Sequence, residues 1–309
     1  MNKNIFLLII SMVLVVPFSN AQQDAQFTQY MYNPLSFNPA YAGSRDVLSA
    51  VLIHRSQWLG VQGAPTTQHL SGHSPINETM SVGLNIMRDE VGPMQENTIQ
   101  ASYSYGIFLN RSLRLNFGLQ LGANLLDVDF NKLSIRDPND PNFAENIDKK
   151  FSPQFGLGAM LYDENYYVGI SVPNLVETEH FDQSNNSNSK TLVKEKASFY
   201  LTGGYVWQVS PNLKFKPTLL SKITTGSPLQ IDISTNFLLY DKFTLGAAYR
   251  WDSAISALAA FQISDSWLIG VAYDMETTSY SAYNNGSLEA FLRFELFKKY
   301  NKMLTPRFF

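Results

Sequence analysis

The sequence predicts an all-β protein, a transmembrane antiparallel β-barrel of about 14 strands with short periplasmic turns and long extracellular loops. Three observations predict this fold. The chain begins with a segment that is predicted to be an export signal, apolar and polar residues alternate with period two along much of it, and only 16% of its 309 residues are charged. An average soluble domain carries about 25% charged residues. No apolar run of about 18 residues follows the export signal, so no further helix is expected to span a membrane.

Composition removes several classes of function. The net charge is −3 and the isoelectric point is about 5.8, whereas proteins that read nucleic acid usually carry a basic patch or stripe. The chain has no cysteine, which excludes a disulfide scaffold, a cysteine-based metal site and thiol catalysis. An exported chain of this kind is a periplasmic protein, a secreted β protein or an outer-membrane barrel.

Residues 1–21 are predicted to be a secretory signal peptide. A polar start with one cation, Lys3, precedes an apolar run over residues 5–16, and the segment ends in Ser19-Asn20-Ala21, a small-residue cleavage site. The alternative is an N-terminal membrane anchor. The apolar run is shorter than the roughly 20 residues that a spanning helix needs, which favours the signal peptide.

The main evidence for a barrel is the alternation along residues 113–125. Apolar residues occupy every second position there, and Arg, Asn, Gln and Gly fill the positions between them, which is typical of a strand with one apolar face. The pattern recurs over residues 243–251, 267–275 and 288–296, and the apolar register of these four strands carries no charge. Because Lys or Arg at a bilayer midplane costs about 2–4 kcal/mol, a lipid-facing surface excludes charge. The outer face of a soluble sandwich would instead carry many Lys, Glu and Thr.

Fourteen strands are predicted between residues 46 and 297. Their centres lie near residues 50, 70, 84, 102, 118, 157, 168, 202, 218, 234, 247, 259, 271 and 291. Short turns are expected at residues 110–112, 163–165, 210–212, 240–242 and 264–266, and long polar connections at residues 128–151 and 173–196. Outer-membrane barrels have short periplasmic turns and longer outer loops, and an even strand count places both termini in the periplasm.

Aromatic residues at strand ends indicate two interfacial girdles. Trp207 and Trp267 adjoin predicted periplasmic turns, and Trp251 ends a strand at the opposite rim. Two residues depart from the strand pattern. Arg88 lies in the apolar register at a strand end, where a long cation can reach the interface, and Pro217 predicts a bulge or local break in the ninth strand.

The chain on either side of the barrel is expected to lie in the periplasm. Residues 22–45 form an N-terminal segment rich in Gln, Asn, Pro, Phe and Tyr. We interpret it as a plug for the lumen or as a docking segment for machinery below the barrel. Residues 298–309 form a C-terminal tail that carries several cations.

Candidate partner-binding residues are polar and charged side chains assigned to the lumen. An ion-pair network that fills the lumen and a set of ligand contacts both remain open for them. They are Arg114, Gln120, Asn124, Lys214, Lys216, Arg250, Asp274, Glu289, Arg293 and Glu295. His69 and His73 share a register, but they are roughly 13 Å apart along a strand, too far for one zinc ion to bind both. No catalytic, metal-binding or cofactor motif stands out, so the sequence predicts neither an enzyme nor a cofactor.

Several blocks of the sequence resemble the PorP/SprF family. The longest is QDAQFTQYMYNPLSFNPAYAG at residues 23–43, HRSQWLGVQGAPTTQ follows at residues 54–68, and the chain ends in TPRFF. The N-terminal motif residues are Gln26, Phe27, Gln29, Tyr30, Asn33, Pro34, Asn38, Pro39, Tyr41 and Gly43, and the C-terminal ones are Pro306, Arg307, Phe308 and Phe309. Ala25 stands where the family usually has Pro. Leu288 stands where a Gly-Ser-His-Glu motif usually has His, so a role of that His is not transferred.

The resemblance implies an outer-membrane protein of Bacteroidetes that serves type IX secretion and gliding motility. Such a barrel is expected to bind and anchor the C-terminal domain of a secreted surface adhesin, and to contact the secretion machinery, including its periplasmic ring components. The alternative function is a channel for passive or selective uptake of small or apolar solutes. A channel conducts when it is reconstituted alone, whereas a partner-holding barrel is plugged or co-purifies with a large exported protein.

Overall fold

The computed structural model describes residues 26–133, 146–176, 178–179 and 194–296. The predicted signal peptide and the C-terminal tail, with its motif at residues 306–309, lie outside the described residues. No helix in the described part of the chain has the length and apolar character needed to cross a bilayer.

The described chain folds mainly into strands joined by turns and a few short 3-10 turns. The strands are β1 (Leu48–Ser56), β2 (Thr66–Pro75), β3 (Met80–Val91), β4 (Met94–Phe108), β5 (Arg114–Val128), β6 (Ile147–Tyr162), β7 (Tyr166–Val172), β8 (Thr178–Glu179), β9 (Lys194–Glu195), β10 (Ser198–Tyr205), β11 (Trp207–Ser210), β12 (Leu213–Thr224), β13 (Gln230–Leu239), β14 (Phe243–Arg250), β15 (Ala254–Ser264), β16 (Trp267–Glu276) and β17 (Ser287–Leu296).

These elements form a closed antiparallel barrel of fourteen strands, in which β10 and β11 together count as one and β8 and β9 take no part. Strand β1 pairs with β17, with Leu48 opposite Leu296, and β10 pairs with both β7 and β12. Strand β11 continues β10 along β12, and β8 pairs with β9 in a separate small sheet. Every predicted strand centre falls within an observed strand of the barrel, so the predicted barrel is confirmed.

The apolar register of the strands faces outward. Along β14, Phe243, Leu245 and Tyr249 are exposed, whereas Thr244 and Arg250 are buried in the interior. The same alternation holds along β15, β16 and β17. The outer surface is therefore an apolar band of the kind that contacts lipid.

A belt of aromatic side chains surrounds one end of the barrel. The ring centroids of Trp207 and Phe215 are 5.9 Å apart, and those of Trp267 and Phe294 are 4.7 Å apart. Short turns lie at this end, which also holds the start of β1 and the end of β17. It is therefore the periplasmic end, and exposed Trp251 lies at the opposite, outer rim.

The outer end is uneven in height. Strands β3, β4, β5 and β6 have 12, 15, 15 and 16 residues, whereas β7 and β10 have 7 and 8. A strand needs about 9–11 residues to cross the hydrocarbon, so β3–β6 project outward as what we call the tall wall. Two outer connections, at residues 92–93 and 251–253, are as short as the periplasmic turns.

The irregularity near Pro217 lies in the neighbouring strand. Strand β12 is continuous through Pro217, which lies opposite Thr235 of β13 in regular register. On its other side the ladder between β10 and β12 ends with Gly204 opposite Thr218, and pairing resumes in β11 with Trp207 opposite Phe215. The predicted local break therefore lies in the pairing on one side of Pro217, while β12 itself is continuous. Because proline has no N–H to donate, the strand facing it loses the ladder.

Candidate functional site

Residues 26–44, which we call the lumen segment, lie inside the barrel. Their hydrogen-bond partners belong to strands on opposite sides of the wall, including β2, β6, β12 and β17, and almost all of these residues are buried. Two Asn-Pro pairs shape the segment. Pro34 and Pro39 each begin a 3-10 turn, where the missing N–H needs no partner, and the Asn38 Oδ1 accepts from the Ala40 N–H at 3.0 Å.

A buried ion network, the outer latch, holds the outer end of the lumen segment. It consists of Arg55 on β1, Asp274 on β16 and Glu289 on β17. The Glu289 carboxylate accepts from the backbone N–H groups of Thr28 and Gln29, each at 2.9 Å. Arg55 lies 2.7 Å from Asp274 and 3.1 Å from Glu289. All three charges are buried, so the loss of one leaves the others uncompensated.

A second set of polar contacts flanks the latch and fixes the direction of the segment. The Gln26 Nε2 donates to Asp232 at 2.5 Å, and Asp232 pairs with Arg250 at 2.7 Å. The Tyr30 hydroxyl lies 2.9 Å from the Thr218 hydroxyl. Asp232 is near the outer start of β13 and Arg250 is at the outer end of β14. The lumen segment therefore runs from the outer end of the barrel to its periplasmic end.

The middle of the lumen segment is held by neutral polar side chains. The Asn33 Nδ2 lies 3.1 Å from the His69 Nδ1, and the Ser71 hydroxyl donates to the Asn33 Oδ1 at 2.9 Å. The Asn85 Nδ2 donates to the Leu35 carbonyl at 3.1 Å. Since these groups are buried, their pairing keeps the segment in one register.

Aromatic side chains of the segment pack on rings of the wall. The ring-centroid distances are 5.5 Å for Phe27 and His69, 4.7 Å for Tyr32 and Phe291, 5.6 Å for Phe37 and Tyr200, and 5.3 Å for Tyr41 and His73. Each such pair contributes about 0.5–1.5 kcal/mol beyond its buried area. The apolar clusters inside this barrel are thus built between its wall and the lumen segment.

Small residues in the wall make room for the segment. A Cβ added at Gly118 would lie 2.2 Å from the Ala40 nitrogen, and one added at Gly158 would lie 2.1 Å from the Asn38 Oδ1. Gly118 and Gly158 face each other across β5 and β6. The segment therefore approaches the wall as closely as the absence of side chains permits.

The periplasmic end of the segment meets a second ion cluster. The Arg45 Nε lies 2.6 Å from Glu295, and the Arg293 Nε lies 3.6 Å from it. The Gly43 N–H donates to the His73 Nδ1 at 3.1 Å. Burial by itself lowers the pKa of Arg45, but the Glu295 carboxylate outweighs it and the pKa is raised. Arg45 therefore stays charged where the segment joins β1.

Four of the predicted lumen candidates lie in these two ion clusters, a fifth lies beside the outer latch, and the rest lie apart. The clustered residues are Asp274, Glu289, Arg293 and Glu295, and Arg250 pairs with Asp232 beside the latch.

Three of the remaining candidates are cations. Lys214 pairs with Asp241 at 2.6 Å beside a periplasmic turn, and Arg114 pairs with Asp46 at 2.8 Å. Lys216 is buried in the lumen.

The amide candidates Gln120 and Asn124 are buried on the tall wall. The Ser102 hydroxyl donates to the Gln120 Oε1 at 3.5 Å, and the Asn124 Nδ2 donates to Glu96. Among the described residues, no hydrogen bond joins either amide to the lumen segment.

Sequence reasoning missed several residues that hold the segment. The sequence does not indicate that Arg55 faces the lumen, because Val51 and Ile53, which share its register on β1, are apolar. His69 and His73 are too far apart to share a metal ion, and each contacts the segment instead. In the described part of the chain, no group of three or more His, Cys, Asp or Glu residues could hold a metal ion.

The apolar outer band, the periplasmic aromatic belt and the polar interior define an outer-membrane β-barrel protein. Solved structures share this fold. The monoaromatic hydrocarbon channel CymD is 11% identical with a TM-score of 0.52, over 92% of this chain and 95% of CymD. A deletion mutant of the monoaromatic hydrocarbon channel TodX is 9% identical with a TM-score of 0.51, over 90% of this chain and 96% of TodX. At these identities the likeness shows the fold alone.

The family follows from the sequence itself. The model of the family described as type IX secretion system membrane protein PorP/SprF matches residues 19–294. The chain belongs to this family, which confirms the resemblance of its sequence blocks and associates it with type IX secretion at the outer membrane. A comparison with curated proteins gives no match.

Proposed function

We propose that this protein is a partner-holding barrel of the type IX secretion system, which binds and anchors the C-terminal domain of an exported surface protein such as a gliding adhesin. The filled lumen carries the proposal. A barrel that anchors a partner needs a rigid body in the membrane and an outward binding surface. It has no need of an open pore.

The lumen segment runs through the interior from the outer latch to the ion cluster of Arg45 and Glu295. An eight-stranded barrel is just filled by its side chains, and 16–18 strands leave an aqueous channel. The fourteen strands here enclose an intermediate space, and the lumen segment crosses it from the outer latch to the contact of Ala40 with Gly118. This arrangement favours a holder over the alternative of a solute channel.

A filled lumen also bears on where partners bind. An exported domain reaches this barrel at its outer end, and the periplasmic ring components of the secretion machinery reach it at the end with the short turns. We infer that neither partner enters the lumen while the lumen segment is in place.

The test is a mild-detergent purification of the tagged protein from its native outer membrane, with mass spectrometry of what accompanies it. An unrelated outer-membrane barrel with the same tag is the control. The proposal expects a large exported protein, or its C-terminal fragment, in near-stoichiometric amount with this barrel and absent from the control. A barrel that arrives alone and then conducts ions would overturn it.

A further inference from the structure

Solvent reaches the interior of the barrel beside the tall wall. Gln100 of β4, Tyr200 of β10 and Ser36 of the lumen segment are partly exposed, although all three lie inside the barrel. On the opposite side of the lumen, Leu258 of β15 and Asp274 of β16 face inward and are buried. The outer half of the lumen therefore holds a space between the lumen segment and the tall wall, which we call the outer pocket.

The lumen segment forms the floor of the outer pocket. It crosses from β3, which bonds the Leu35 carbonyl, to β10, where Phe37 stacks on Tyr200 with ring centroids 5.6 Å apart. Further along the segment, Ala40 lies directly against Gly118 of the wall. The outer pocket is thus closed towards the periplasm and faces the outside, so it does not open a path through the barrel.

The wall of the outer pocket carries a patch of uncharged polar side chains on three neighbouring strands. The Gln100 Nε2 donates to the Gln154 Oε1 at 2.7 Å, and the two side chains meet across β5 because Gly122, which lies opposite both residues, has no side chain. At the outer margin of the patch, the Asn124 Nδ2 donates to Glu96. The patch consists of Gln100, Ser102, Gln120, Asn124, Ser152 and Gln154.

Two side chains of the patch have a polar atom with no hydrogen-bond partner among the described residues. These atoms are the Gln120 Nε2, which is a donor, and the Asn124 Oδ1, which is an acceptor. Both side chains belong to residues that are only 1% exposed. Buried polar atoms are normally hydrogen-bonded, and an unpaired one costs stability. A ligand in the outer pocket would supply both missing partners.

We propose that the outer pocket binds a neutral oligosaccharide from outside the cell, a site that does not depend on the function proposed above. A hydroxyl both donates and accepts a hydrogen bond. A row of sugar hydroxyls can therefore pair with the Gln120 donor and with the Asn124 acceptor, which lie four residues and about 13 Å apart along β5.

The chemistry of the patch disfavours other ligands. A charged ligand would lose its hydration without gaining an ion partner from the patch. Lys222 faces the lumen on β12, but its ammonium lies 5.7 Å from the centre of the Tyr200 ring, on the other side of the outer pocket. An extended peptide would turn every second side chain towards the wall, where all six side chains of the patch are polar.

The first experiment is a calorimetric titration of the purified barrel in a detergent without a sugar headgroup. The probes are maltotriose, cellotriose and mannotriose, and the comparison ligands are trigalacturonate and a hexapeptide of Gly and Ser. We expect at least one neutral trisaccharide to bind saturably, and about tenfold or more tightly than either comparison ligand. Binding of the anion alone, of the peptide alone, or of no ligand up to its limit of solubility would overturn the proposal.

The second experiment uses Gln120→Leu to separate a ligand contact from a structural one. The variant removes the unpaired donor at similar volume, so the affinity for the trisaccharide should fall about tenfold or more. The urea midpoint of the barrel should stay unchanged or rise, because an unpaired buried amide is removed. Gln208→Leu, at an exposed periplasmic position, is the matched control and should leave the affinity unchanged. Equal affinities of Gln120→Leu and the wild-type protein, or a loss of affinity together with a lower urea midpoint, would overturn the proposal.

The same titration with lipopolysaccharide of the native host distinguishes two sources of the sugar. Tighter binding of lipopolysaccharide than of the free trisaccharides assigns the ligand to the sugar chains of the cell surface, and the reverse order assigns it to free oligosaccharide. Either order supports the proposal if Gln120→Leu weakens the binding, and binding that Gln120→Leu leaves unchanged contradicts it.

Discussion

The two ends of the lumen segment are held by different combinations of forces. At the outer end, the Glu289 carboxylate accepts from the N–H groups of Thr28 and Gln29 within a buried ion network. Near the periplasmic end, the segment packs directly on Gly118 and continues into β1. Both ends therefore use buried charge, since Arg45 pairs with Glu295 at the periplasmic end, but only the periplasmic end adds close packing of the segment against Gly118. Loss of charge should release the first, and added volume should displace the second.

The largest loss of folding stability is expected from Glu289→Leu. It removes the acceptor of two buried N–H groups and leaves Arg55 short of a partner, which typically destabilises by about 3–5 kcal/mol. Urea unfolding of the refolded barrel in detergent measures the loss. Glu289→Gln keeps one amide oxygen as an acceptor and should lose less. If Glu289→Leu and the wild-type protein unfold at the same urea concentration, charge does not hold the outer end.

The periplasmic end is tested by Gly118→Ala. The new Cβ would lie 2.2 Å from the Ala40 nitrogen, so backbone must move, and we expect a loss at the upper end of the 1–3 kcal/mol range of overpacking. Gly72→Ala is the matched control, because its Cβ would lie 3.7 Å from the Ser49 carbonyl. Equal urea midpoints for the two variants would contradict a segment held by shape.

A smaller effect is expected from Tyr30→Phe. It removes one buried hydroxyl 2.9 Å from the Thr218 hydroxyl, and the loss of one such hydrogen bond is worth about 0.5–1.5 kcal/mol. Tyr240→Phe, at an exposed periplasmic turn, should leave the urea midpoint unchanged. If both variants shift it equally, the Tyr30 hydroxyl contributes nothing specific to the lumen.

The smallest loss of folding stability is expected from a substitution on the tall wall. Arg88 and Glu90 form an exposed ion pair, and pairs of this kind contribute about 0.2–1 kcal/mol. Arg88→Ala should lower the free energy of unfolding by no more than that. A loss as large as that of Glu289→Leu would mean that the comparison between buried and exposed charge does not hold in this barrel.

The strands of the barrel wall are predictable from the sequence because they depend on a pattern among neighbouring residues. Lipid on one face and a polar interior on the other impose a period of two, which is visible along residues 113–125 and 243–251. The short turns follow from the gaps between these runs. The uneven height of the outer end does not, since short connections at residues 92–93 and 251–253 follow strands of very different length.

The lumen is less predictable because its contacts join distant residues. Thr28 and Glu289 are 261 positions apart, and nothing near either residue in sequence indicates the pairing. The path of the lumen segment was also hidden, since its 3-10 turns have no strand or helix period. The composition and the Asn-Pro pairs of the segment indicate turns, but its direction from the outer end to the periplasmic end comes only from the fold.

The central claim, a barrel that is closed by its own chain and therefore holds rather than conducts, is tested most directly by planar-bilayer recording of the purified wild-type protein. An open porin in the same lipid is the positive control. The filled lumen predicts a silent membrane with confirmed insertion of folded barrel. Steady stepwise conductance from the wild-type protein would contradict the claim and favour a channel.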